Sequence, residues 1–190
     1  APGAQTEREL SFLDGSVNPI LFRDGRTLLF TEVSAPAAAN YTFYMRGTDG
    51  SPVVRLGEGG ALDISPDGRW VAYCSNESGE YKAYVVPFPG PGGRWQVSPG
   101  GGSDPRWRSD GKELFYLSLD NKLMAVDVSA KGASFEVGSV RALFETQAYG
   151  IFARYDVTAD GQRFIIAHEA GQPNTAITLV VNWPAELKGN

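Results

Sequence analysis

Apolar residues along this chain come in short runs, and the runs alternate with polar turns. No run of ten or more residues shows convincing 3.6-residue periodicity, so helices are not predicted. The runs are instead bounded by Gly, Pro, Asn and Asp, which is the signature of strands. The clearest case is Leu62–Tyr73, which reads as a strand, a tight turn and a second strand. Pro66 presets the backbone for the second position of a type I turn, and Ser65 can hydrogen-bond the turn. Gly68 takes the left-handed position that lets the chain reverse with a bulge.

The same turn recurs as Arg23-Asp24-Gly25-Arg26, Ser109-Asp110-Gly111-Lys112 and Ala159-Asp160-Gly161-Gln162. The turn aspartates are 43, 43 and 50 residues apart. An apolar strand follows each turn, over Thr27–Thr31, Trp70–Ser75, Glu113–Ser118 and Arg163–His168. A third strand is predicted over Thr42–Arg46, Tyr81–Val86, Lys122–Val128 and Ala176–Trp183. A fourth is predicted over Pro52–Leu56, Arg94–Ser98 and Val140–Phe144. Four short antiparallel strands per repeat is the period of a β-propeller blade.

The predicted class is therefore all-β, a β-propeller of about four four-stranded antiparallel blades in one domain over 1–190. Blades fall at 18–57, 61–98, 104–144 and 150–183, with a tail at 184–190. The last blade lacks a fourth strand, and residues 6–13 read as an orphan strand that would complete it and close the ring. Closure removes exposed sheet edges. The alternative is part of a larger ring, either in one longer chain or shared by two copies.

Composition narrows the function. With 42 % hydrophobic and 12 % aromatic residues the chain is a folded protein rather than a disordered one. Its net charge of −5 and the lack of a Lys/Arg cluster exclude the footprint of nucleic-acid binding. They also argue against a polyanionic partner or an acidic membrane surface. Cys74 is the only cysteine, so no internal disulfide and no Cys-based metal cage can form; it reads as core filler. No apolar stretch approaches membrane-spanning length, so no direct membrane insertion is expected. A start at Ala1 rather than Met reads as a processed form or a piece of something longer.

The Ser65–Tyr73 segment, Pro105–Gly111 and Tyr155–Phe164 resemble TolB-type WD-like propeller repeats. The tail Val180-Val181-Asn182-Trp183-Pro184-Ala185-Glu186-Leu187-Lys188 is similar to the C-terminal end of propellers attached to bacterial receptor-type Ser/Thr kinases. The resemblance covers 18–188 and implies a propeller with structural Asp-Gly turns, carrying no catalytic residue over. It implies protein partners, a sensor or scaffold role, and a periplasmic or other extracytoplasmic location.

Aligning the innermost strands on the turn aspartate separates two kinds of column. Three residues before it stand Leu21, Ile64, Trp107 and Val157, and five before it Pro19, Leu62, Pro105 and Tyr155; these mostly apolar columns should pack between blades. Four before it stand Ile20, Asp63, Arg106 and Asp156, and two before it Phe22, Ser65, Arg108 and Thr158. Strand side chains alternate between faces, so the polar columns share one side. Asp63, Arg106, Asp156 and Arg108 are thus the candidate channel-facing ligand site. The competing reading is a mutually neutralising charge cluster with no ligand. A glycosidase-like pair, Asp63 with Asp156, is a third reading, weakened because Arg106 would hold both ionised whereas a general acid needs a raised pKa.

Other candidates are weaker. His168, the only histidine, sits at a strand end with no Gly-x-Ser-x-Gly elbow to serve. Gly100–Ser103 reads as a flexible connection between blades, since a phosphate cradle needs a following helix. Pro87–Gly93 is a stiff hairpin tip. Asn40-Tyr41-Thr42 and Asn76-Glu77-Ser78 match the glycosylation pattern, meaningful only in a secreted eukaryotic protein. Trp70, Trp95, Trp107 and Trp183 read as blade packing. The expected function is a non-catalytic binding or scaffold module with a protein or peptide partner, or a small ligand, and no cofactor or metal. The alternatives are a glycoside-active enzyme and a partial propeller acting in assembly, as monomer or ring-sharing dimer.

Overall fold

The structure is a computed structural model. It describes residues 10, 15–34, 40–148, 154–167 and 177–181, the last in backbone only. The predicted closing strand at 6–13 (Leu10 apart), the tail, His168 and Trp183 lie outside the described residues. The described elements are fifteen strands, arranged as antiparallel meanders.

Two compact units divide the chain, residues 1–58 and 59–190. The first holds β1 (Ser16–Leu21), β2 (Thr27–Ser34), β3 (Asn40–Gly47) and β4 (Val54–Glu58), paired in chain order. In this unit Arg46 donates to the carbonyls of Leu10 and Gly50, at 2.9 and 3.1 Å.

The second unit holds three sheets. One is β5 (Gly60–Ile64), β6 (Trp70–Ser75), β7 (Lys82–Pro87) and β8 (Trp95–Gln96). The next is β9 (Ser103–Trp107), β10 (Glu113–Leu117), β11 (Lys122–Lys131) and β12 (Ser134–Glu145). The last is β13 (Tyr155–Val157), β14 (Arg163–Ala167) and β15 (Ile177–Val181). We number the four sheets in chain order.

The Asp-Gly turns form as their chemistry dictates. The N–H groups of Gly25, Gly68, Gly111 and Gly161 each bond the carbonyl three residues back, at 2.8–2.9 Å, and all four glycines have φ near +70°. Each turn aspartate accepts the N–H two residues on, at 2.8–3.1 Å. These bonds favour the ionised carboxylates and lower their pKa values. Arg26 N–H is the leading cause for Asp24, the Arg108 side chain for Asp110 and the Thr158 hydroxyl for Asp160. At Asp67 partial burial opposes the effect, and bonds from Ser65 and Arg69 outweigh it.

Two apolar clusters bind the second unit. Trp70, Ala72, Ala83 and Val85 of sheet two meet Leu114, Tyr116, Val126 and Trp107 of sheet three. Phe115, Leu117, Leu123 and Ala125 of sheet three meet Tyr155, Phe164 and Ile166 of sheet four. β10, which lies between the two clusters, is consequently buried on both faces, and every residue of β6 is buried as well. Cys74 is core filler as expected, and burial pushes its thiol pKa up to about 12, which leaves it unreactive at neutral pH.

Three details depart from expectation. The β11–β12 hairpin runs well beyond Val128, turning at Gly132, because its extension carries Phe135 back onto sheet two. The Phe135 ring lies 5.0, 5.7 and 6.2 Å from the rings of Trp70, Trp95 and Trp107, and that burial holds the longer hairpin. β8 shrinks to two residues because the Ser98 hydroxyl, 2.7 Å from Ala83 N, accepts a bond the ladder would otherwise make. Gly100–Ser103 is no flexible connection. Gly101 and Gly102 are buried, and their N–H groups bond Ser98 and Tyr81 carbonyls at 3.0 and 2.8 Å.

Candidate functional site

The inner strands β5, β9 and β13 place the predicted polar column. At each of these strands the N–H two residues before the turn aspartate bonds the neighbouring strand: Ser65 to Trp70, Arg108 to Glu113, Thr158 to Arg163, all at 2.9 Å. Antiparallel pairing alternates, so the N–H one residue earlier points away from the sheet. Those N–H groups belong to Ile64, Trp107 and Val157, and each needs an acceptor.

Asp63 supplies two of them. Its Oδ1 accepts Ile64 N–H at 2.9 Å, and its Oδ2 accepts Trp107 N–H of the next sheet at 2.7 Å. Asp156 supplies the third, its Oδ1 accepting Val157 N–H at 2.8 Å. Arg106, which cannot accept, donates to the carbonyls of Leu62 and Pro105, both at 3.2 Å. Burial raises the Asp63 pKa; Trp107 N–H and the Arg106 charge offset this in part, and the Asp156 charge adds to it. Asp63, Arg106 and Asp156 thus lie within one another's field, on three successive sheets.

Arg108 is elsewhere. Its guanidinium grips Asp110 with two bonds of 2.9 and 2.8 Å and reaches Glu113 at 2.6 Å. Glu113, buried, is also bonded by Arg141, which in turn meets Asp127 at 3.0 Å. Arg108 therefore belongs to an ion-pair network at the turn end of sheet three, not with the other three. Asp110 and Glu113, both on its own sheet's turn and following strand, are the partners that occupy the Arg108 guanidinium.

The apolar columns pack between sheets where Trp107 and Tyr155 stand, both buried, and Leu21 departs from that at 57 % exposed. The next column upstream holds the most deeply buried charge pair among the described residues. Six residues before the turn aspartates stand Asn18, Ala61, Asp104 and Arg154. Asp104 is wholly buried, with φ of +52°, and its Oδ2 accepts Arg154 Nε and Nη2 at 2.9 and 2.7 Å. Arg154 Nη2 also bonds Ser103 Oγ, and the Tyr155 hydroxyl donates to the Asp104 carbonyl at 2.9 Å. Opposite charges at one column position in successive repeats were the available signal. They stand one residue upstream of the columns compared above.

Among the described residues no group of three or more His, Cys, Asp and Glu could hold a metal ion, and no helix is long and apolar enough to cross a membrane. The arrangement stitches sheets together through carboxylates bonded to backbone N–H groups. Asp156 is the one member of the column that is exposed.

No family model and no curated protein matches this sequence. Solved structures do resemble it. TolB from Acinetobacter baumannii gives a TM-score of 0.64 at 19 % identity, over 90 % of this chain and 41 % of that one. A putative TolB from Agrobacterium tumefaciens gives 0.58 at 16 %, over 84 % and 59 %. A gluconolactonase from Xanthomonas campestris gives 0.60 at 18 %, over 87 % and 56 %. The chain thus spans between 41 % and 59 % of the length of these structures. At such identities the likeness establishes the fold: an all-β propeller architecture similar to that of TolB.

Proposed function

We propose that the chain is a non-catalytic binding or scaffold module that meets a protein or peptide partner through its propeller face. The observation that carries this reading is the state of Asp63. Both of its oxygens are spent on backbone N–H groups of two sheets, and Arg106 beside it is spent on carbonyls. A carboxylate acting as acid, base or nucleophile must present an oxygen to substrate. The inner polar column instead holds blades in register, which leaves recognition to exposed groups at its rim, Asp156 among them. A small ligand taken there is the variant of the same reading. The sensor or scaffold role and the extracytoplasmic location implied by the TolB and kinase-propeller resemblance belong to this proposal too.

One observation favours the enzyme alternative. Asp63 has a raised pKa, as a general acid requires, and Asp156 lies within its field. The test is a panel of glycosides, gluconolactone and peptides offered to the purified chain. No turnover above the blank is expected. Turnover that vanishes in Asp156→Asn, with an unchanged melting curve, would overturn the binding reading.

A further inference from the structure

Three arginines of the second unit are half-buried: Arg106, Arg108 and Arg154. Arg108 pairs with Asp110 and Glu113, and Arg154 with Asp104. Arg106 makes no ion pair with any described residue. A half-buried cation gives up hydration and ordinarily recovers it from a carboxylate. The neighbouring carboxylates are engaged elsewhere. Both oxygens of Asp63 hold backbone N–H groups, Asp104 is held by Arg154, and Asp156 bonds the N–H of Val157.

What Arg106 commits to carbonyls is one nitrogen. Its Nη1 donates to Leu62 O on sheet two and to Pro105 O on its own sheet, both at 3.2 Å. Those bonds pin the guanidinium across the junction of the two sheets. Nε and Nη2 bond nothing among the described residues, and neither belongs to the buried polar atoms without a partner, so this edge of the guanidinium reaches solvent. Nε–H and Nη2–H form the planar fork that fits the two oxygens of one carboxylate. With Nη1 anchored, the side chain has already lost much of the rotamer freedom that binding would otherwise cost.

The surroundings select the charge of the ligand. The Arg106 charge acts on Asp63 of sheet two and on Tyr155 of sheet four, and Asp156 acts on both of those groups as well. A dianionic phosphate would meet two negative neighbours with one arginine to offset them. A carboxylate brings a single charge and matches the fork in shape. Every group involved lies within the second compact unit.

We propose that Arg106 is the docking point for a carboxylate of the partner, held by Nε–H and Nη2–H. This rests on the binding reading given above and supplies its chemistry: the partner presents a chain terminus or an acidic side chain.

The test is NMR of the nitrogen–proton resonance at Arg106 Nε, in the full chain at constant ionic strength. The probes are N-acetylglycine with a chain-terminal carboxylate, N-acetylaspartate α-methylamide with a side-chain one, and N-acetylglycine methylamide with none. A saturable shift is expected with at least one acid and none with the neutral probe, and the tighter acid identifies the source. No shift with either acid, or an equal shift with the neutral probe, overturns the proposal. Arg106→Gln, read at the Trp107 backbone amide, is expected to weaken the acid about 10-fold or more. Undiminished binding by the folded variant overturns the assignment. Asp156→Asn leaves Arg106 untouched, keeps an oxygen for the Val157 N–H and removes a nearby negative charge. It is expected to tighten the acid about 2- to 4-fold, and an unchanged affinity counts against the proposal. Turnover in the substrate panel would sink the binding reading without moving any of these titrations, so the two failures are told apart.

Discussion

Replacing Arg154 by methionine tests what holds sheet four to sheet three. The substitution keeps most of the aliphatic stem and removes the guanidinium. Asp104 then loses both bonds to its Oδ2, at 2.9 and 2.7 Å, and Ser103 loses its contact. Asp104 is 0 % exposed and the Arg154 side chain 19 %, so solvent cannot replace the lost partner without opening the junction. Removing one member of a buried pair costs about 3–5 kcal/mol, because an uncompensated charge stays behind. Against a total stability on the order of 5–15 kcal/mol, that is a large share. With a urea m-value of roughly 2 kcal/mol/M, the unfolding midpoint should fall by about 2 M. Urea unfolding followed by tryptophan fluorescence is a suitable assay, since Trp70, Trp95 and Trp107 lie in the adjoining cluster. Asp104→Asn together with Arg154→Met should be more stable than Arg154→Met alone, because the stranded charge is gone and asparagine tolerates the left-handed backbone at this position. A midpoint shift below about 0.5 M, or a double variant no better than the single one, would refute the reasoning.

Two further outcomes follow from the same geometry. Gly102→Ala should cost at least about 2 kcal/mol, because φ is +152° and a Cβ would sit 2.7 Å from the Leu117 carbonyl oxygen; a thermal melt within a degree of wild type would contradict this. The folded state lowers the pKa of Asp24, Asp67, Asp110 and Asp160, so it binds their protons less readily than the unfolded chain does. Their contribution is present above the ordinary carboxylate pKa of about 3.9 and is lost as pH falls through and below it. Asp63 acts in the opposite sense: its raised pKa makes no difference well below the ordinary carboxylate value and costs stability increasingly as pH rises from that value to the raised one. Six groups, these four with Asp120 and Asp127, oppose one, so the urea midpoint should fall between pH 5 and pH 3. A rising midpoint over that interval would show that Asp63 dominates.

The reversals at Asp24, Asp67, Asp110 and Asp160 were legible in the residues alone. Each depends on an Asp followed by a Gly, with Pro66 and Ser65 adding to the second, and such chemistry needs no distant partner. The alternation that makes the strands, and hence the all-β class, was legible for the same reason. The polar column was visible too, but the use of its members was not. Arg108 stands in that column and is drawn off by Asp110 and Glu113. Asp63 is committed because Trp107, one sheet further on, has no acceptor of its own. The Asp104–Arg154 pair joins residues fifty apart, and the long β11–β12 hairpin exists because Phe135 finds the tryptophans of another sheet. Turns and strand periods are set by bonds between near neighbours, so the order of residues determines them. Which charges meet, and which faces are left open, depends on how far one sheet is displaced and rotated against the next, and only the packed tertiary structure decides that.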